Sequence, residues 1–154
     1  MTDVLMPAAS LAHLIATAAL GLFAGAMLTE AGVLVPFWRS LEAPIFHAWY
    51  RANATRLVAF FGPVTWLAGL SALASAVLAV ATGAPQAVGA AIAAGLVVTA
   101  VALFPLYFEA ANARFVAGMT SPEETADALR RWAAWHRART AISCLAFAAS
   151  LWHG

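Results

Sequence analysis

The chain has 154 residues, a size that fits one domain. It is 64% hydrophobic and only 10% charged, with a formal net charge of +1. That composition excludes an ordinary soluble domain, and the absence of an extended basic region excludes a nucleic-acid-binding one. A single cysteine, Cys144, cannot form an intrachain disulfide or a multi-thiolate metal cluster.

Taken in chain order, four stretches are apolar enough to cross a bilayer: residues 8–35, 57–81, 87–108 and 132–152. The first, "LAHLIATAALGLFAGAMLTEAGVLVPFW", lacks the charged leader and cleavage site of a secretory signal and reads as a retained span. Its Gly21 and Gly25 make a small-xxx-small pair suited to close helix approach. Pro36 ends or kinks it, with Trp38 and Arg39 as an interfacial anchor. "APIFHAWYRANATRL" then reads as a short interfacial helix, with Phe46, Trp49 and Tyr50 among polar neighbours. Gly62 and Pro63 follow early in span two. "ATGAPQAVG" is a tight turn that forces an antiparallel hairpin between spans two and three. Ser121, Pro122, Glu123 and Glu124 form a helix-start signal ahead of the last span.

The expected architecture is therefore all-α: an integral membrane, antiparallel four-helix bundle in one domain, 1–154, with the lipid bilayer as its solvent. The eight basic residues are all arginines, clustered between spans one and two and between spans three and four. By the positive-inside rule both clusters are cytoplasmic and both termini lie on the far side, as expected in a bacterial inner membrane. A Gly- and Ala-rich bundle this small is also suited to homo-oligomerise or to join a larger membrane complex.

Ionisable groups within spans face the bundle interior and carry the functional argument. Glu30 on span one and Glu109 on span three sit at similar depth, and Asn112 shares a helix face with Glu109. Trp132, His136, Arg139 and Ser143 recur at i, i+4, i+7 and i+11, one stripe of the last helix. With His47, these residues point to a pocket in the cytoplasmic leaflet. In it Glu30, His47, Glu109 and His136 are the candidate ligands for a transition metal, or act as acid and base groups without one. The competing reading has Glu30 paired with Arg139 or Arg56, and Glu109 with Arg114 or Arg137, as ion pairs that fix helix register. His13 on the opposite side reads as an interfacial or helix-packing histidine, and Met27 and Met119 are too scattered for a copper site. The aromatics Phe60, Phe61, Trp66, Phe104, Tyr107 and Phe108 fit an interfacial belt.

"RWAAWHRART", "FPLY" and "GLFAGAML" together resemble a family of small four-span membrane proteins that includes the fungal anthrone oxygenases. Members often carry Pro-Leu-Asn in span three and an asparagine after the second tryptophan, where this chain has Tyr107 and His136. The resemblance implies an oxygen-using enzyme acting on a flat, hydrophobic phenolic substrate. Glu109 or His136 would then be the base and Arg139 the oxyanion partner, with Glu30, His47, Tyr107, Asn112, Trp132 and Trp135 around the substrate. The alternative is a non-enzymatic helix-bundle subunit or small transporter; the midplane segments "LSALASAVLAV" and "AAIAAGLVVTAV" hold only small hydroxyls, which weakens a pore.

Overall fold

The structure, a computed structural model, describes residues 2–119 and 121–152. It is all-helical, and no strand is present among the described residues. Helix α1 (Thr2–Thr29) passes through a π-helical turn at Glu30–Leu34 into α2 (Val35–Ser40). Helix α3 (Ala43–Thr82) is continuous. Helix α4 (Ala87–Leu103) passes through a second π turn at Phe104–Phe108 into α5 (Glu109–Ala117), and α6 (Pro122–Ser150) completes the chain. These elements make four long helical rods, in which α1 packs on α3 and α6, and α4 packs on α3 and α6.

The starts and stops follow from local chemistry. Gly83, at φ 64°, takes the left-handed position that closes α3, and Ala84 N–H reaches back to the Ala79 carbonyl at 3.0 Å. Glycine occupies that conformation without steric cost. Ser121 caps α6, its Oγ accepting from Glu124 N–H at 3.1 Å, with Pro122 in the first turn as the sequence predicts. Both π turns adjoin a proline, Pro36 just after the first and Pro105 within the second. A proline has no N–H for the helical ladder and crowds the carbonyl four residues back. The wider turn absorbs that defect and the rod continues, where the sequence suggested an end or kink at Pro36.

The expected interfacial helix is not a separate element. Residues 44–56 form the first part of α3 and run without interruption into the second span. Pro44 sits in the first turn, where its missing N–H costs nothing, and nothing before Pro63 breaks the ladder.

The core has two parts. One is built from small residues with a few large ones: Ala19, Leu20, Phe23, Met27, Ala68, Ala72, Ala93, Val97 and Ala146. The other is aromatic: Trp38, Phe46, Tyr50, Phe108, Phe115 and Trp132. Small residues let the rods approach, most closely at Gly89, where an added Cβ would stand 2.6 Å from the Trp152 carbonyl oxygen. Outward faces carry exposed Leu14, Leu22, Val58, Trp66, Leu70, Val77 and Leu145, which a water-facing surface would not bear in such number. Within the rods Leu5–Ser40, Ala43–Thr82 and Ala87–Ala117, 18-residue stretches reach mean hydropathies of 1.9, 1.9 and 2.4, and all three rods are long and apolar enough to cross a membrane.

Candidate functional site

Residue pairs along the α1–α6 seam run in opposite directions. Gly21 lies against Phe147, Met27 against Arg139 and Thr140, and Glu30 against His136. The two helices are therefore antiparallel, and the polar cluster lies between their packed core and the aromatic layer. At its centre are Glu30, 6% exposed, and His136, fully buried. Glu30 opens the first π turn, a distortion that often marks a functional position in a helix.

The hydrogen bonds around His136 fix its proton arrangement. Its Nε2 lies 3.1 Å from the Met27 carbonyl, an acceptor, so Nε2 carries a hydrogen. The other nitrogen, Nδ1, has no hydrogen-bond partner among the described residues and stands 3.6 Å from Glu30 Oε2. Two bare acceptors cannot face each other at low cost in a buried site, and 3.6 Å is longer than a hydrogen bond, so Nδ1 stays available to a further partner. Thr140 reinforces the ring, donating to the His136 carbonyl at 2.8 Å with its hydroxyl 3.4 Å from Nε2.

Arg139 follows on the same face, 7% exposed. Its Nε donates to Met27 Sδ at 3.1 Å, and its guanidinium carbon lies 4.9 Å from the Phe108 ring centroid, a cation–π arrangement. Its charge acts on Glu30 without a direct ion pair among the described residues. The Trp132 ring stacks on His136 at 5.0 Å and 19°, and its Nε1 donates to Asn112 Oδ1 at 2.9 Å. Trp38 packs edge-on to Trp132 at 5.4 Å, and its buried Nε1 has no partner among the described residues. Tyr50, 4% exposed, borders Trp38 and lies within the field of Glu30.

The stripe Trp132, His136, Arg139 and Ser143 is thus the buried face of α6, with Glu30 brought to it and Asn112 joined through Trp132. Other expected members are elsewhere. Glu109 is exposed: Phe108 and Phe115, seven residues apart, are buried here, and the residue after Phe108 falls about 100° around the helix. Arg114, one of its expected partners, instead pairs with Glu124 at 2.7 Å. His47 is buried but fully engaged, with Nδ1 2.9 Å from the Phe115 carbonyl and Nε2 3.0 Å from Thr125 Oγ1, so it ties α3 to α5 and α6. Tyr107 and Trp135 pair with each other at 5.4 Å, and Trp135 is exposed.

The four proposed metal ligands are accordingly not gathered. Among the described residues no group of three or more His, Cys, Asp or Glu side chains could hold a metal ion. Glu30 and His136 form a pair, Glu109 faces out, and both nitrogens of His47 are occupied. His13 bonds Ser75 Oγ at 3.2 Å between α1 and α3, the packing role expected of it.

A groove of about 410 Å³ approaches the cluster from outside, lined by Ala31, Val35, Pro36, Arg39, Ser40, Ala133, His136 and Arg137. His136 therefore belongs both to the buried cluster and to the lining of an open depression. Sequence spacing could not show that depression, because it depends on how α2 and α6 diverge. No family model, curated protein or solved structure matches this chain.

Proposed function

We propose that this chain is a four-span membrane enzyme of the anthrone oxygenase-like kind, oxidising a hydrophobic phenolic small molecule at the Glu30–His136 pair in the cytoplasmic leaflet. The second half of α6 is the fourth span, which puts both termini on the non-cytoplasmic side and the arginine-bearing connections in the cytoplasm of a bacterial cell. One observation carries the reading: His136 Nδ1 faces Glu30 and is otherwise unpartnered among the described residues, and His136 is one of the residues lining a groove large enough for a small ligand.

The chemistry needs few parts. The pair accepts a proton from an acidic C–H of the substrate, leaving a delocalised carbanion whose charge the nearby Arg139 helps to hold. Dioxygen then takes the electrons: a ring methylene and one O₂ give a ring carbonyl and one water. Stacked aromatics such as Trp132 keep the site dry, where a charge–charge interaction is strongest.

The test is oxygen uptake with an anthrone-like substrate by protein in lipid nanodiscs. Wild type should consume one O₂ per carbonyl formed. Glu30→Gln should lose about 10²- to 10⁴-fold in kcat/KM, the usual contribution of a general base. No uptake by correctly folded wild type, or full activity in Glu30→Gln, would refute the reading.

A second reading has its own support. His136 and Arg139 both bond to Met27, so the same cluster clamps α1 to α6. A non-enzymatic bundle subunit would use it for that alone. Oxygen uptake separates the two, because a non-enzymatic subunit consumes no oxygen with any substrate, whereas a proton-transfer pair loses turnover in Glu30→Gln.

A further inference from the structure

The groove beside His136 has a charge asymmetry that the buried pair does not explain. Arg39 at the end of α2 and Arg137 on α6 both line it and both are exposed. Neither makes an ion pair or hydrogen bond to any described residue. Most other exposed arginines differ: Arg51 donates to the Val116 carbonyl at 2.9 Å, Arg114 pairs with Glu124, Arg130 with Asp127, and Arg56 bonds Asn53, while Arg131, which also lacks such a partner among the described residues, lines a different groove. The rest of the lining is His136, Ser40 and an apolar wall formed by Ala31, Val35, Pro36 and Ala133.

We propose that the groove is a binding site for a small amphiphile carrying one anionic group. Arg39 and Arg137 hold the anion, and the apolar body lies along Ala31, Val35 and Ala133 with its far end at His136. Two guanidinium groups present a fork of donors that suits a carboxylate or phosphate oxygen pair. The volume fits one fused-ring or single-chain molecule, and His136 in the lining gives the inner end of that molecule something to meet. The occupant is therefore a compact ligand, distinct from a bulk phospholipid. The inference rests on the functional reading above and refines it, since it requires the substrate to be anionic at the end remote from the reacting carbon.

Photo-crosslinking reads this site directly. Protein in phosphatidylcholine nanodiscs is exposed to a diazirine-bearing alkyl carboxylate and, separately, to its methyl ester, and labelled peptides are mapped by mass spectrometry. The carboxylate should label residues 31–40 and 133–137 about fivefold or more above the ester, a preference that a screened ion pair can supply. Arg39→Gln with Arg137→Gln should bring labelling down to the ester level, the paired lysine substitutions should restore part of it, and Arg56→Gln should leave it unchanged. Equal labelling by both probes, or undiminished labelling in the double glutamine variant, would overturn the proposal. So would complete suppression by added phosphatidylglycerol, which would identify the occupant as bulk lipid. Labelling does not depend on turnover. Loss of the charge preference with oxygen uptake intact removes this inference alone, and preference without uptake removes the catalytic reading alone.

Discussion

Nδ1 of His136 and Oε2 of Glu30 stand 3.6 Å apart across the α1–α6 seam, both buried, with the opposite ring nitrogen held by the Met27 carbonyl. A pair this close in a site this dry is coupled. A double-mutant cycle with Glu30→Gln and His136→Asn should return a coupling energy of about 0.5–3 kcal/mol in unfolding free energy, as contacting residues in one network do. Strict additivity would mean that the two side chains act independently.

Glu109 supplies the contrasting case. It is the carboxylate that the family resemblance makes a candidate base, yet it is exposed on α5. Glu109→Gln should leave oxygen uptake unchanged within twofold and shift unfolding by no more than about 0.5 kcal/mol, as surface substitutions do. A loss comparable to that of Glu30→Gln would return Glu109 to the site and contradict its placement here.

His47 and His136 are both buried histidines, but their surroundings assign them different work. His47 spends both nitrogens on the Phe115 carbonyl and Thr125 Oγ1. His47→Ala should cost about 2–4 kcal/mol by removing two hydrogen bonds and leaving their buried partners unsatisfied. It should lower the unfolding midpoint while activity per folded molecule holds. An equal fall in turnover per folded molecule would show that His47 takes part in the chemistry.

Much of this architecture is legible in the sequence, for identifiable reasons. Apolar length marks the three long rods, and "ATGAPQAVG" and "TSPEE" carry the turn and cap chemistry that the structure uses. The buried face of α6 follows from spacing alone, since Trp132, His136, Arg139 and Ser143 recur at helical period. What spacing does not reveal is rotation of one helix against another. Glu30 and Glu109 are equally placed by depth, and only the packing of Phe108 and Phe115 inward turns Glu109 out. The π turns belong to the same class: a proline inside an apolar rod signals a defect in the ladder, and whether the chain kinks or widens depends on neighbours.

Close approach of rods gives a stability prediction at Gly89. A Cβ there would meet the carbonyl oxygens of Trp152 and Ala149 at 2.6 and 2.7 Å, both backbone atoms that cannot rotate aside. Gly89→Ala should therefore destabilise by about 1–3 kcal/mol despite alanine's better helix propensity, because overpacking forces α4 away from the end of α6. Gly95, with open space around its Cβ position, is the control, and Gly95→Ala should be neutral or mildly stabilising. Equal behaviour of the two variants in thermal unfolding would show that the contact at Gly89 is absent.

The fourth span is the part of the topology most open to direct challenge, because the first half of α6 carries Glu123, Glu124, Asp127, Arg130 and Arg131. On the proposed topology these charges stay in water and the apolar remainder of α6 crosses alone, with His136 and Arg139 turned inward to Met27 and Phe108. In a Cys144→Ala background, single cysteines at Pro85, Arg130 and Trp152, all exposed positions, report the sidedness. An impermeant maleimide added to intact cells should label the cysteines at 85 and 152, and the one at 130 only after lysis. Labelling at 152 only after lysis would place the end of α6 in the cytoplasm and reduce the bundle to three crossings. The buried pair would then sit beside a helix that lies against the membrane, open to water along one side, and the dry environment that the proposed oxidation requires would be lost.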